Sequence, residues 1–384
     1  EARGHAAYTL HLTFTADQHL DETINPNFET LSTWKYSLGA EYVANLSAIG
    51  LGDGWNLRAD LILSDVKNGF DVREGRRTVD GTAPDGRNIY SFTAGGDYIL
   101  ENTNKGESTV FSFDLAKSWD SRAGMFDFTL GYTNTDAKEI RSYNRFVTFE
   151  SYAFDATPDF NNMPLSTSKY EGPHRITGTF DWSKQLFGEN MTRASLVYFG
   201  RSGRNFSYTF GSGDAAFGGT FLADFGSEGD NPGSHLFYVP TGTSDPLVTG
   251  DPTFLANLDG FIDSESCLRG KRGEIVKRNS CRTDFTSIVS LRLMQEIGIG
   301  RDKTIELILD IENLGNLIND DWGRVDSYSA PSNVALANVT IADGQYVYAP
   351  ISGAQVSADT IAPNPAIARL PSVYRIQFGA RFRF

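Results

Sequence analysis

The chain has 384 residues, with 34 Lys and Arg against 48 Asp and Glu, for a formal net charge of −14. That balance excludes the basic footprint of a nucleic-acid binder, and 40% hydrophobic content excludes a disordered chain. With 38 Gly, 27 Phe and 16 Tyr the composition leans to β structure with many turns, and no apolar run approaches the roughly 18 residues of a membrane-spanning helix.

From the N-terminus onward the sequence predicts about ten strands: 8–15, 33–45, 54–65, 107–119, 124–136, 173–185, 192–203, 284–297, 303–314 and 373–384. Each has two unlike faces. Trp34, Tyr36, Leu38, Ala40 and Tyr42 alternate with Lys35, Ser37, Gly39 and Glu41. Trp55, Leu57, Ala59 and Leu61 alternate with Asn56, Arg58 and Asp60. Phe126, Phe128 and Leu130 alternate with Asp127 and Thr129, and Ile176, Phe180 and Trp182 share a side opposite Arg175, Thr179 and Asp181. Ile305, Leu307, Leu309 and Ile311 alternate with Thr304, Glu306, Asp310 and Glu312. The last stretch sets Tyr374, Ile376, Phe378, Ala380, Phe382 and Phe384 against Arg375, Gln377, Arg381 and Arg383. A period of two makes these strands, and guanidinium groups cannot enter a dry core without partners.

The predicted strands run about 9–13 residues, as a tilted membrane strand requires. A soluble sandwich uses shorter strands, near 5–6 residues, at spacings of about 8–12. The connections also alternate in length. Ala48–Gly54, Asp120–Gly124, Lys184–Asn190 and Gly298–Lys303 are short, whereas 66–106, 137–172, 204–283 and 315–372 are long. Short turns at one end and long loops at the other are the asymmetry of an outer-membrane barrel. The reading is therefore all-β, an antiparallel transmembrane barrel with external long loops. Leu307, Leu309, Phe128 and Phe378 are expected on its lipid face. Arg58, Arg175, Arg292, Glu306, Asp310, Arg375 and Arg381 are expected to face its lumen. Trp34, Trp55, Trp119, Trp182, Tyr374 and Phe384 fall near strand ends, where aromatic girdles form.

Cys267 and Cys281 both fall in the 204–283 connection, flanked by Arg269, Lys271, Arg272, Lys277, Arg278 and Arg282. So basic a surround disfavours a metal, and an external loop permits a disulfide between them. No Ser-His-Asp set, nucleophile elbow or phosphate loop stands in a suitable context, so no enzyme is expected. His174 with Asp159 and His235 with Asp230 are the nearest approaches to a rim protease pair.

The stretch Asp310 to Asn319 resembles the penultimate strand of TonB-dependent receptors running into their Asn-Leu-Phe-Asn-like motif, and Phe378, Phe382 and Phe384 resemble their terminal strand. Further stretches are similar, in order, to the Oar-like subgroup: Asn25–Phe28, Asn102–Gly106, Pro173–Ile176, Arg201–Arg204, Leu236–Pro240 and Arg272 through Asn279. The resemblance implies a barrel of twenty-two strands around an N-terminal plug, with residues 1–384 supplying about the last ten strands. It implies a receptor and transporter of the Gram-negative outer membrane, coupled to TonB through a plug region not in this chain. Lipid and lipopolysaccharide would surround it, and the barrel-assembly machinery would read its last strand. Two other roles stay open: a surface or structural interaction protein, and a complete small barrel such as an outer-membrane protease, in which 8–15 would pair with 374–384. No cofactor is expected, except that Asp224, Glu228, Asp230 and Asn231 in the 224–234 loop keep spaced oxygen donors for calcium without EF-hand order, beside the reading of a solvated acidic loop. The cargo is not legible.

Overall fold

The computed structural model describes residues 20–90, 96–142, 152, 154–211, 233–300, 303–328, 332–351, 366–367 and 369–384. The chain is mostly β structure. Its main sheet has twelve strands, of which nine are long and antiparallel. These are β1 (Ser32–Leu46), β2 (Gly52–Glu74), β3 (Gly106–Ser121), β4 (Gly124–Glu139), β5 (His174–Phe187), β6 (Asn190–Arg201), β7 (Thr286–Gly300), β8 (Lys303–Glu312) and β9 (Arg375–Arg383). Each pairs with its sequence neighbour from β1 through to β9. Nine of the ten expected strands are present, and segment 8–15 lies outside the described residues. The sheet is open: among the described residues β1 pairs only with β2, and β9 only with β8.

Residues directly opposite one another in an antiparallel ladder share a face, so the register sorts every side chain. One row across the sheet reads Tyr42, Leu57, Leu115, Leu130, Gly178, Tyr198, Val289. Another reads Trp119, Phe126, Trp182, Ala194, Leu293, Leu309, Phe378. These rows form one continuous apolar face. On the other side the corresponding row is Ser118, Asp127, Asp181, Ser195, Arg292, Asp310, Gln377. The apolar face is not covered by protein: Phe378 is 80% exposed, Leu38 72% and Leu307 46%, while Phe128 and Leu309 are part-exposed.

The tight connections between β1 and β2, β3 and β4, β5 and β6, and β7 and β8 all lie at one end. The four connections expected to be long lie at the other, and their described residues build further structure. β2 runs 23 residues to Glu74, well past the predicted end at 65, and its outer part pairs with Gly96–Thr103, inside the expected loop. The 204–283 and 315–372 segments combine into a second, five-stranded sheet, in the order Val248–Gly250, Gln345–Ala349, Asn333–Ala342, Asn205–Phe210, Cys281–Arg282.

This cap holds the dry core of the molecule. Phe210, Phe237, Val239, Phe254, Leu336, Tyr346 and Tyr348 are fully buried together. Helix α1 (Pro252–Ser264) follows from local rules. Asp251 caps it by accepting from the Phe254 amide at 2.9 Å, and Pro252 occupies its first turn. Phe254, Leu258 and Ile262, four residues apart, form the stripe it buries. A smaller cluster, Val72, Tyr98, Tyr152 and Phe160, joins the outer end of β2 to the 137–172 segment.

Candidate functional site

The polar face of the long sheet and the mouth where it meets the cap carry the chemistry. All seven residues expected in a lumen lie on this face. Arg58 binds Asp60 at 2.7 Å and reaches Glu41 at 3.7 Å. Arg292 forks onto Asp310 at 2.5 and 2.9 Å, and Arg375 pairs with Glu312. Glu306, fully buried, is held by Arg383 at 2.6 Å and Arg381 at 3.3 Å. Glu296 stands directly opposite Glu306 and meets Arg193 at 3.5 Å. Like carboxylates facing each other across strands repel, and three arginines offset that repulsion. Arg383 stood on the polar face of the last strand in the sequence, whereas Arg193 and Glu296 were not singled out; period-two alternation from Arg292 finds Glu296. Arg175 is the exception, with its guanidinium 5.4 Å from the Phe199 ring centroid and no carboxylate partner among the described residues.

At the mouth, buried arginines tie the segments together. Arg141, 1% exposed, donates to Asp71 at 2.5 Å and to the carbonyls of Val72 and Phe160 at 2.6 and 2.9 Å. Arg278 donates to the carbonyls of Glu139 and Ile140 at 2.5 and 2.6 Å. Arg87 forks onto Asp85 and donates to the Leu236 carbonyl at 2.8 Å. A buried charge is tolerable only when so satisfied. Beside them a polar cleft of about 510 Å³ is lined by Lys67, Asn68, Asp71, Glu101, Asn102 and Lys105 among others.

The stretches that carried the resemblance turn out to be joints. Asn102 donates to the carbonyls of Glu29 and Gly69, and its side-chain oxygen accepts from the Glu29 amide at 2.6 Å. The Ser202 amide donates to the His174 carbonyl at 2.8 Å, and the His174 amide to the Ser202 hydroxyl at 3.1 Å. Leu236 to Val239 are core residues of the cap. Asn313, at φ 52°, donates to the carbonyls of Gly323 and Pro371 and so locks the start of β9. A Cβ on Gly323, itself at φ +66°, would sit 1.9 Å from the Asn313 side-chain oxygen, so only glycine fits.

Cys267 and Cys281 form a disulfide with Cα atoms 5.5 Å apart, linking the turn after α1 to the edge of the cap sheet. Closing a loop of this size stabilises by about 3 kcal/mol in the chain-entropy picture. Phe378 and Phe382 sit opposite Leu309 and Ile305, and Phe382 stacks with Phe384 at 5.6 Å. The His174–Asp159 pair does not assemble. The His174 ring meets the Tyr132 hydroxyl at 2.8 Å, while Asp159 accepts from Tyr90 at 2.7 Å and Asn88 at 3.0 Å. Asp230 and the calcium candidates Asp224, Glu228 and Asn231 lie outside the described residues. No metal-holding group of three His, Cys, Asp or Glu occurs among the described residues. Comparison with protein-family models, with curated proteins and with solved structures gave no match.

Titration in the cap follows burial. Desolvation, reinforced by the nearby Arg87 and Arg77 charges, pushes the His235 pKa well below its ordinary value. Burial and then the Asp245 charge push the Tyr238 hydroxyl up to about 12. Burial works against the Asp245 carboxylate, but donors from Thr241, Leu247 and Tyr238 outweigh it and hold its pKa below the usual range.

Proposed function

We propose that this chain forms wall strands and the outer cap of a TonB-dependent, Oar-like receptor of the Gram-negative outer membrane. In this reading the cap captures a ligand, and the polar face conducts it inward after energised movement of a plug. Lipid and lipopolysaccharide cover the apolar face, and the barrel-assembly machinery reads β9. The observation that carries the reading is the registered, two-faced wall: an uncovered apolar face across nine strands, backed by a charged face. So large an exposed patch marks a surface meant for another apolar phase. Backbone groups at a strand edge in lipid cost several kcal/mol each, so β1 and β9 need partner strands other than those described.

The folded cap gives some support to a second role, a surface interaction protein, since a dry-cored external module can bind a partner without conduction. The wall is common to both. Its test is quenching of Trp34, Trp55, Trp119 and Trp182 fluorescence by brominated lipids in reconstituted protein, alongside heat-modifiable migration on gels. Strong quenching with a migration shift is expected; unquenched tryptophans would end the membrane reading. Energised uptake is tested separately, by comparing cells with and without TonB.

A further inference from the structure

On the polar face nearly every arginine has a carboxylate: Arg58 with Asp60, Arg193 with Glu296, Arg292 with Asp310, Arg375 with Glu312, and Arg381 and Arg383 with Glu306. One group breaks the pattern. Arg175 on β5 stands directly opposite Arg201 on β6, at the cap end of the sheet. The charges acting most on the half-buried Arg201 are Arg204 and Arg175, both repulsive. No hydrogen bond or ion pair to any of the three guanidinium groups is found among the described residues. Like charges directly opposite across strands destabilise a sheet, and in a chain of net charge −14 carboxylates are plentiful. The flanking positions in the same row hold hydroxyls instead: Thr133 opposite Arg175 and Thr286 opposite Arg201.

The third arginine follows in the chain on a backbone fixed close by. A Cβ on Gly203 would lie 1.7 Å from the Thr283 carbonyl oxygen, so the turn closes against that residue only with glycine. The Arg204 amide is then held by the Thr283 hydroxyl at 3.0 Å, and the Thr283 amide donates to the Arg204 carbonyl at 3.1 Å. Arg175 lies over the Phe199 ring, 5.4 Å from its centroid. A guanidinium engaged at its face by an aromatic ring keeps its in-plane N–H groups for a fork onto an oxyanion.

We infer that Arg175, Arg201 and Arg204 form a binding site for an oxyanion group, a carboxylate or a phosphate, at the outer mouth of the polar face. The inference deepens the receptor reading by giving the captured ligand a chemical class, and it rests on that reading for the site's being the entrance to a lumen. An oxyanion at this position relieves the repulsion that Arg175 and Arg204 exert on Arg201 and gains charge-assisted hydrogen bonds from several forks.

The test is calorimetric titration of the whole chain in detergent at low salt, with pyrophosphate as the phosphate probe and citrate as the carboxylate probe. Binding of one or both is expected, and the tighter one names the class. Arg175→Gln and Arg201→Gln should each weaken it by about tenfold or more, the scale of a hydrogen bond to a charged group. Arg201→Lys should fall between, since it keeps charge and loses the fork. Arg122→Gln, in the tight β3–β4 connection at the opposite end of the sheet, should leave the affinity unchanged. Without ligand, Arg201→Gln should melt no lower than the parent protein, because it removes repulsion. Absence of binding by both probes at millimolar concentration, or equal binding by the Arg201→Gln and parent proteins, overturns the inference. Tryptophan quenching on the same preparation separates the outcomes: anion binding without quenching keeps the site and removes the membrane wall, and quenching without anion binding does the reverse.

Discussion

The long sheet and the cap use the same apolar residue types in opposite ways. In the cap Phe237 and Phe210 are sealed inside, whereas on the long sheet Phe378 is 80% exposed and Phe384 94%. At the mouth of the cap the buried arginines Arg87, Arg141 and Arg278 are the exceptions, held by carbonyls and carboxylates. On the sheet, charges fill one whole face and need only cross-strand partners. The contrast teaches that burial alone does not identify the stabilising interior of this chain. The cap seals its apolar side chains inside, and the sheet leaves an apolar face exposed opposite a charged one.

The sharpest way to break the comparison is a cavity in the cap. Phe237→Ala should cost about 3–5 kcal/mol, seen as a lost cap unfolding transition or as protease cleavage within 233–285, with the sheet's heat-modifiable band unchanged. If the sheet is lost as well, the two regions are one cooperative unit. Next in size, Leu309→Arg on the apolar face should cost about 2–4 kcal/mol in lipid at mid-membrane depth. The same change at Val79, an exposed apolar residue of the cap, should stay within about 0.5 kcal/mol, as surface substitutions do. Equal effects at both sites would mean that the apolar face meets water.

The third separation is by pH. His235 has its folded pKa depressed, so the folded cap disfavours the charged ring that the unfolded chain accepts. The stabilising preference for the neutral form is therefore full above about pH 6.5, the unfolded value, and is lost as pH falls towards the depressed folded value, at up to about 1.4 kcal/mol per pH unit. Cap unfolding followed by near-ultraviolet circular dichroism between pH 7 and 5 should show this slope, and His235→Leu should flatten it. Smallest is Arg292→Ala. Its pair with Asp310 is solvent-exposed and screened, so less than about 1 kcal/mol is expected, read from the sheet's thermal transition at low and high salt.

These two regions also differ in how much of them the sequence carries. Each residue of the long sheet lies on one of two unlike faces, so its neighbours two positions away repeat its character; Leu57, Ala59 and Leu61 are enough to set a face. One inner strand of the cap, Asn205–Phe210, is buried at every position, so it has no alternation to read. Its partner in parallel pairing, Asn333–Ala342, lies more than a hundred residues away, and nothing local marks it. The seven polar-face residues were legible for the first reason. The Arg175–Arg201 opposition was not, because it depends on register between two strands. The motif stretches were visible as patterns, but their work as joints depends on backbone contacts that composition does not encode.

The 23-residue span of β2 has a mechanical consequence. At about 3.3 Å per residue the strand is roughly 75 Å long, more than twice the hydrocarbon thickness of a bilayer. Its inner part belongs to the ladder with β1 and β3, and its outer part to the ladder with Gly96–Thr103. The cap therefore stands on a stiff post rather than a tether. Force applied along it would be borne in shear by the hydrogen bonds of both ladders.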